Sequence, residues 1–412
     1  MKDGKALPTA TYKGVRDFYP EDMFIENYIF NILKSAVQKF GFEEYDASPL
    51  EPTELYEGKT SDEIVRDQTY TFTDRGGRSV TLRPEMTPTI ARMVAARRRD
   101  IATPLRLFST PNVFRYERPQ KGRLREHRQL NCDIFGGSSQ HADIEIISLA
   151  HHIMRTFKLT EKQFIIKINS RQAIRDALMQ RKIPANKEKE VHSLRDKRGK
   201  IPEQEFDALL HELGADNLQI EESDDCKIVR ETLAKRGIHN VIFDASLERG
   251  FDYYTGMIFE VFDTDEKNSR SVFGGGRYDN LMSLFGAEPL PAVGFGMGNV
   301  TIKNTLETYN LLPAYQPACH LLIASIAPEN AEGAVSLAES LRQRDLNVAV
   351  DTTERKVKDK IKSASKLGIL HLVCIGDDEE KTHSYTVKNL KTGEETIAND
   401  DTVRNIIFSQ HE

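Results

Sequence analysis

Residues 113–136 read VFRYERPQKGRLREHRQLNCDIFG and hold five arginines and a lysine among two glutamates and an aspartate. A guanidinium stays charged at any working pH and grips phosphate or carboxylate through two parallel hydrogen bonds. Gathered with carboxylates, such groups suit a polyanionic ligand that also carries a cationic group. Arg115, Arg123 and Arg249 are candidates for holding phosphates, and Glu85, Asp133 or Glu117 for receiving an amine or a metal-bound water. The same composition also makes an ordinary solvated surface, on which each ion pair is worth about 0–1 kcal/mol.

Two further stretches point away from a plain surface. FGGGRYD near 273 and GFGMG at 294–298 concentrate glycine where strands are expected. Glycine weakens a strand unless a ligand or another backbone must come close, although bulges and turns use it too. LERGFDYYTG, at 247–256, sets an arginine, an aspartate and two tyrosines between strand-like runs, where tyrosines serve either core packing or a flat polar ligand. The glycines lack the dinucleotide-binding spacing, and no G-x-x-x-x-G-K-[ST] occurs.

These residues need elements to hold them. Apolar residues three and four apart predict an amphipathic helix over about 21–41, stopped at Gly41. TYTFTD and SVTLRP around RGGR predict a hairpin, and a helix follows with Thr87 as N-cap and Pro88 at its first position. LFSTPNVFRYE and QLNCDIFG predict a longer hairpin with RPQKGRLREHR as a mobile loop. On the returning strand Gln129, Asn131 and Asp133 share one face. Residues 171–240 read as charged helices inserted before the strands VIFDAS and MIFEVF. Beyond Pro313 and Pro317, strand and helix alternate as in a small α/β domain, with a basic helix whose Val357, Ile361 and Ala364 face inward and whose lysines at 356, 358, 360, 362 and 366 lie mostly elsewhere. The expected divisions are 1–170 and 241–312 for one domain, 171–240 for an insertion within it, and 318–412 for the last.

Composition narrows the classes. A chain of 412 residues implies two or three domains, and 39% hydrophobic with 29% charged residues describes a globular protein. No apolar run approaches the roughly 20 residues of a membrane span, and the N-terminus lacks the apolar core of a signal peptide, so a cytoplasmic protein without membrane contact is expected. Four separated cysteines favour neither zinc nor disulfides. A net charge of −6 opposes nonspecific coating of nucleic acid while allowing a local basic patch.

Taken together and in this order, GVRDFYP, TLRPEMT, FRYERPQKGR with QLNCDIFG, and LERGFDYYTG with GGGRYD resemble the histidyl-tRNA synthetases, class II aminoacyl-tRNA synthetases, over nearly the whole chain. The resemblance implies an α+β fold: an antiparallel class II sheet flanked by helices, a helical insertion and a C-terminal α/β anticodon-binding domain. It also implies a homodimer, whose interface uses the first helix and the extended piece through Pro49. The activity implied is ATP-dependent activation of L-histidine to histidyl-adenylate, with magnesium accompanying ATP, and transfer to the 3′ end of tRNA-His.

Carried over residue by residue, the resemblance makes Arg115 and Arg249 catalytic. Glu85 and Thr87 would receive the α-amino group; Gln129, Asp133, Tyr253 and Tyr254, with Arg249, would complete the histidine site. Glu117, Arg123 and His127 would join Arg115 around ATP, while Arg118 and Gln120 would meet the acceptor end of the tRNA. The chain departs from the family pattern twice. Thr301 stands where the third-motif arginine is expected, and His127 where an aromatic ring stacks on adenine. The alternative is a histidine-binding regulatory paralogue, of the kind found with ATP phosphoribosyltransferase, although that class usually lacks the C-terminal domain.

Overall fold

The computed structural model describes residues 7–57, 68–118, 124–137, 139–199, 201–216, 218–268 and 270–409. It divides into two compact units, one holding Glu26–Leu312 and the other Phe18–Ile25 with the residues from Pro313 onward.

The N-terminal helix α1 (Pro20–Gln38) forms as its spacing requires, burying Ile29, Phe30, Leu33, Ala36 and Val37 along one stripe. The turn that follows it closes at Gly41, whose φ of +76° is a left-handed conformation that only glycine adopts without cost. The chain continues through β1 (Glu43–Glu44), β2 (Leu50–Pro52), α2 (Glu54–Glu57), β3 (Tyr70–Thr73) and β4 (Ser79–Leu82). The expected hairpin is β3 and β4, paired antiparallel, with β2 on the other side of β4.

Helix α3 (Thr87–Ala96) corrects the expected cap. Met86 is the N-cap, Thr87 is already the first helical residue, and no side chain caps the end. Thr87 is thereby released for another task.

Strands β5 (Leu105–Ser109), β6 (Asn112–Phe114) and β7 (Glu126–Phe135) build the longer hairpin. Strand β7 begins earlier than expected, because Glu126, His127 and Arg128 pair with β6 and so belong to the strand rather than to the loop. Helix α4 (Ser139–Thr156) and β8 (Phe164–Ser170) follow. Among the described residues of 171–240 lie the helices α5 (Arg171–Gln180), α6 (Glu188–Arg195), α7 (Glu203–Glu212) and α8 (Asp224–Lys235). The first three share a core that includes Ile174, Leu178, Val191, Leu194, Phe206 and Leu210.

Strands β9 (Val241–Phe243), β10 (Met257–Asp263), β11 (Ser271–Arg277) and β12 (Ala292–Gly298) lead into α9 (Asn299–Thr308). The large sheet has the order β1-β5-β7-β12-β11-β10-β8-β9, with β6 extending the β7 pairing. Its interior pairs are antiparallel, as expected, and the two terminal pairs, β1–β5 and β8–β9, are parallel.

The second unit carries its own five-stranded sheet. Strands β13 (Leu321–Ser325), β14 (Val348–Asp351) and β15 (His371–Ile375) run parallel around β13 and alternate with α10 (Ala331–Arg342) and α11 (Val357–Lys366), as the sequence pattern predicts. After α12 (Asp377–Thr382), the antiparallel strands β16 (Tyr385–Asn389) and β17 (Glu395–Ala398) extend the sheet, and α13 (Val403–Ser409) closes the described chain. One lysine of α11 departs from expectation. Lys360 is 1% exposed, and its ammonium donates to the Ser325 and Asp351 carbonyls at 2.8 and 3.0 Å, tying β13 to β14.

Candidate active site

Pairing across the large sheet explains the glycines. Strand β12 sets Gly294, Gly296 and Gly298 directly opposite Asp133, Asn131 and Gln129 of β7, while on its other side Gly294 and Gly296 meet Gly276 and Gly274 of β11. A Cβ at Gly296 would run into the Gln129 amide, and one at Gly294 into the Asp133 carboxylate; one at Gly274 would stand 3.0 Å from the Arg249 guanidinium. The absent side chains leave room for the polar groups of β7 to lean across the sheet, in a cleft of about 660 Å³.

Three other segments wall that cleft. The turn from β4 into α3 supplies Glu85 and Thr87; the end of β6 supplies Arg115; and the loop between β9 and β10 supplies Arg249, Phe251, Tyr253 and Tyr254. The Tyr253 hydroxyl donates to Glu85 Oε2 at 2.9 Å and lies 3.5 Å from Thr87 Oγ1, so the early turn and the late loop are joined at the site. Burial, reinforced by the Glu85 charge, holds the Tyr253 phenol well above its ordinary pKa. It remains a donor.

The two arginines are held differently. Arg115 anchors Nε on the Pro84 carbonyl at 2.9 Å and lies 5.8 Å from the centre of the Phe251 ring. Arg249 reaches Glu260 on β10 at 2.5 Å and lies 5.9 Å from the centre of the Tyr254 ring. Burial works against its charge, but Tyr254 and Glu260 raise its pKa above the ordinary arginine value. Its Nε, like Oε1 of Gln129, is buried without a hydrogen-bond partner. Such orphaned atoms beside a cleft mark places where a ligand can supply the missing partner.

Asp133 is not itself on the wall. It lies 3% exposed beneath it, and its Oδ1 accepts a very short hydrogen bond from Tyr278, whose ring does line the cleft. Burial pushes the Asp133 carboxyl up to about 7, against the lowering effect of the Tyr278 bond. At neutral pH this carboxyl is poised between its two forms.

A second cleft, of about 640 Å³, adjoins the first, since Arg115 and Val272 line both. Glu117, Leu124, His127, Gly298, Val300 and Thr301 complete it. Burial and the nearby Arg115 charge lower the His127 pKa to about 3, so its imidazole is neutral at physiological pH. Thr301 is not turned to a ligand: its hydroxyl donates to the Val272 carbonyl at 2.6 Å.

The structure therefore brings Glu85, Thr87, Arg115, Gln129, Arg249, Tyr253 and Tyr254 around one cleft, and Glu117 and His127 around its neighbour. Arg118 is exposed and lines neither. Arg123 and Gln120 lie outside the described residues. Sequence reasoning missed Phe251, Tyr278 and Glu260. For Tyr278 a signal existed, because it directly follows the glycine-rich strand in GGGRYD.

A family model described as histidyl-tRNA synthetase matches residues 14–216 and 171–301, a span that contains every lining residue of both clefts. The chain belongs to the histidyl-tRNA synthetase family. A second model, described as an anticodon binding domain, matches 320–407, the region of the five-stranded sheet. The histidine--tRNA ligase of Leptospira biflexa is 41% identical over 95% of both chains. That of Thermoplasma volcanium is 37% identical, covering 93% of this chain and 95% of its own. The fold matches the solved apo histidyl-tRNA synthetase of S. aureus at a TM-score of 0.76 and 24% identity, covering 97% of this chain and all of that one. The corresponding values for the Nostoc sp. PCC 7120 histidyl-tRNA synthetase are 0.79, 21%, 98% and 100%. Thr301, the residue at the expected third-motif position, uses its hydroxyl on its own backbone.

Proposed function

We propose that the protein joins L-histidine to ATP, forming histidyl-adenylate and pyrophosphate, and passes the histidyl group to the 3′ end of tRNA-His. The observation that carries this reading is the pair of adjoining clefts sharing Arg115, one lined with amide, carboxylate and phenol groups and the other with a neutral imidazole and aliphatic side chains. The first cleft suits an amino acid with an imidazole, and the second a nucleotide.

In this reading Glu85 and Thr87 receive the α-amino group. Gln129, Tyr253, Tyr254 and the Asp133–Tyr278 pair surround the imidazole, where donors and acceptors match both ring nitrogens. The histidine carboxylate attacks the α-phosphorus, and negative charge grows on the phosphate oxygens. Arg115 and Arg249, already fixed in place, stabilise that charge without reorganising. His127 offers its flat neutral ring to adenine, and Glu117 and Arg123 complete the ATP contacts. Arg118 and Gln120 meet the tRNA acceptor end.

Magnesium enters with ATP. Among the described residues no group of three or more His, Cys, Asp or Glu side chains is disposed to hold a metal ion. We further assign the protein to the cytoplasm and to a homodimer using α1 and the extended piece through Pro49; among the described residues no helix is long and apolar enough to cross a membrane. Light scattering at micromolar concentration would reveal twice the mass of one chain, and a monomer would remove the dimer assignment.

Pyrophosphate exchange into ATP, run with each of the twenty amino acids and magnesium, tests the reading. Exchange is expected with histidine alone. A protein that binds histidine but supports no exchange would instead be a regulatory paralogue.

A further inference from the structure

The loop between β9 and β10 carries Arg249, Phe251, Tyr253 and Tyr254, yet it is not a strand of the sheet and has few backbone bonds of its own. Leu247 N–H reaches the Asp244 carbonyl at 3.0 Å, and Thr255 N–H the Arg277 carbonyl at 2.7 Å. Between these points the loop is gripped from outside, by side chains of α5 and α6.

Glu248 is the centre of that grip. Its carboxylate is 2% exposed and accepts from Arg195 Nε at 2.8 Å; the His192 ring nitrogen Nδ1 stands 3.2 Å away, and Arg171 Nη1 lies 3.9 Å off. The same arginines also hold the loop backbone. Arg195 donates to the Ala245 carbonyl at 2.6 Å, and Arg171 to the carbonyls of Arg249 and Phe251 at 2.6 and 3.3 Å. On the outer surface Lys189 of α6 pairs with Asp252 at 3.0 Å. Burial disfavours the Glu248 anion, but His192, Arg171 and Arg195 outweigh it and keep the carboxyl below its ordinary pKa.

Helix α6 is placed by a separate small core, in which its Val191 and Leu194 pack with Ile174 of α5 and Phe206 of α7. A buried carboxylate held between two guanidiniums and an imidazole transmits position stiffly, because moving either arginine leaves charge uncompensated in a low-dielectric site. Misplacing a transition-state contact by about 1 Å costs on the order of a hundredfold in rate.

We infer that Glu248 is a positioning residue through which the 171–240 helices set the place of Arg249. The inference rests on the reading of Arg249 given above, and it adds that the inserted helices are part of the activation step itself. Neither Glu248 nor Arg195 lines either cleft; they act through the loop backbone.

The test uses full-length Arg195→Ala, Arg195→Lys, Glu248→Gln and the double variant Arg195→Ala/Glu248→Gln. Three quantities are read: the single-turnover rate of adenylate formation at saturating histidine, the histidine Kd by calorimetry, and deuterium uptake by the amides of 246–254. Arg195→Ala should lower the rate at least about tenfold and weaken histidine binding by a clearly smaller factor, since Tyr253 and Tyr254 share the loop, with Arg195→Lys recovering part of both losses. The double variant should be no slower than the slower single variant, since both break one linkage. Uptake at 246–254 should quicken while uptake in β7 and β12 does not. Unchanged uptake in that segment, or rate losses that multiply in the double variant, would overturn the inference. If the wild-type protein forms no histidyl-adenylate, the proposed function falls, and the uptake comparison alone still decides whether Glu248 and Arg195 hold the loop. Glu248→Gln keeps the shape and one acceptor oxygen, so it serves if Arg195→Ala proves unstable.

Discussion

Arg249 keeps its charge while largely buried among rings and a carboxylate, and its lost water must be compensated by Glu260 and by whatever anion enters the cleft. Arg249→Ala should therefore reduce adenylate formation by orders of magnitude, with histidine binding much less affected. Comparing single-turnover rate with calorimetric Kd checks this, and equal losses in both would mean the residue binds substrate rather than the developing charge. Asp133 yields a prediction about pH. Its folded pKa of about 7 exceeds the usual carboxyl value, so the folded state binds the proton more tightly than the unfolded chain does. This group's contribution to stability accordingly declines as pH rises from about 4 to 7. Asp133→Asn, which keeps an oxygen for Tyr278, removes that decline. The melting midpoint of the ligand-free variant should improve relative to wild type between pH 5 and pH 8, and a pH-independent difference would refute the assignment.

Strands β7 and β12 show how an element can specify a site by what it omits. Gly296→Ala would press a methyl group onto the Gln129 amide and should weaken histidine binding by about tenfold or more, with the sheet otherwise intact by circular dichroism. Wild-type affinity in that variant would show that Gln129 faces no ligand. In the second unit, Lys360→Ala would leave the Ser325 and Asp351 carbonyls without their donor, at a cost on the order of 2–3 kcal/mol in urea unfolding. These elements were unequally legible. Periodicity gives α1, α10 and α11, and the strand-face rule gives the alignment of Gln129, Asn131 and Asp133, because both depend on neighbours within one element. Lys360 stands three residues after Val357 and four before Ala364, so the helix period already leans it inward, but the carbonyls that receive its ammonium belong to two strands outside its own helix. The N-cap was misread for a similar reason: Thr87 has the right side chain, but Pro88 and the turn at Glu85 start the helix one residue earlier. Tyr278, beside the glycine tract, and Phe251, in the loop after Gly250, escaped because aromatic residues serve core packing equally well, and only the folded chain shows which face they present.

At the scale of the molecule, the two units divide the proposed work. A chain ending before Pro313 should still form histidyl-adenylate, provided it folds by circular dichroism, while its tRNA charging efficiency falls by about a hundredfold or more. Retained charging would mean that the anticodon-binding unit contributes nothing to the reaction. Charge reversal at Lys358 and Lys362 should weaken tRNA binding and flatten its dependence on salt by about one contact per lysine, and an unchanged slope would make that face of α11 merely solvated. The order of strands in the large sheet has a consequence for the growing chain as well. Phe135 of β7 pairs with Ala292 of β12, so the middle of the sheet cannot close until all the intervening helices have been made. At about 5–20 residues per second, each nascent chain holds the apolar edge of β7 open for roughly 8–30 s. During that interval the strand that will floor the cleft is a template for any neighbouring nascent strand, so chaperone capacity at the ribosome, rather than the stability of the finished fold, should set how much of this protein a cell obtains.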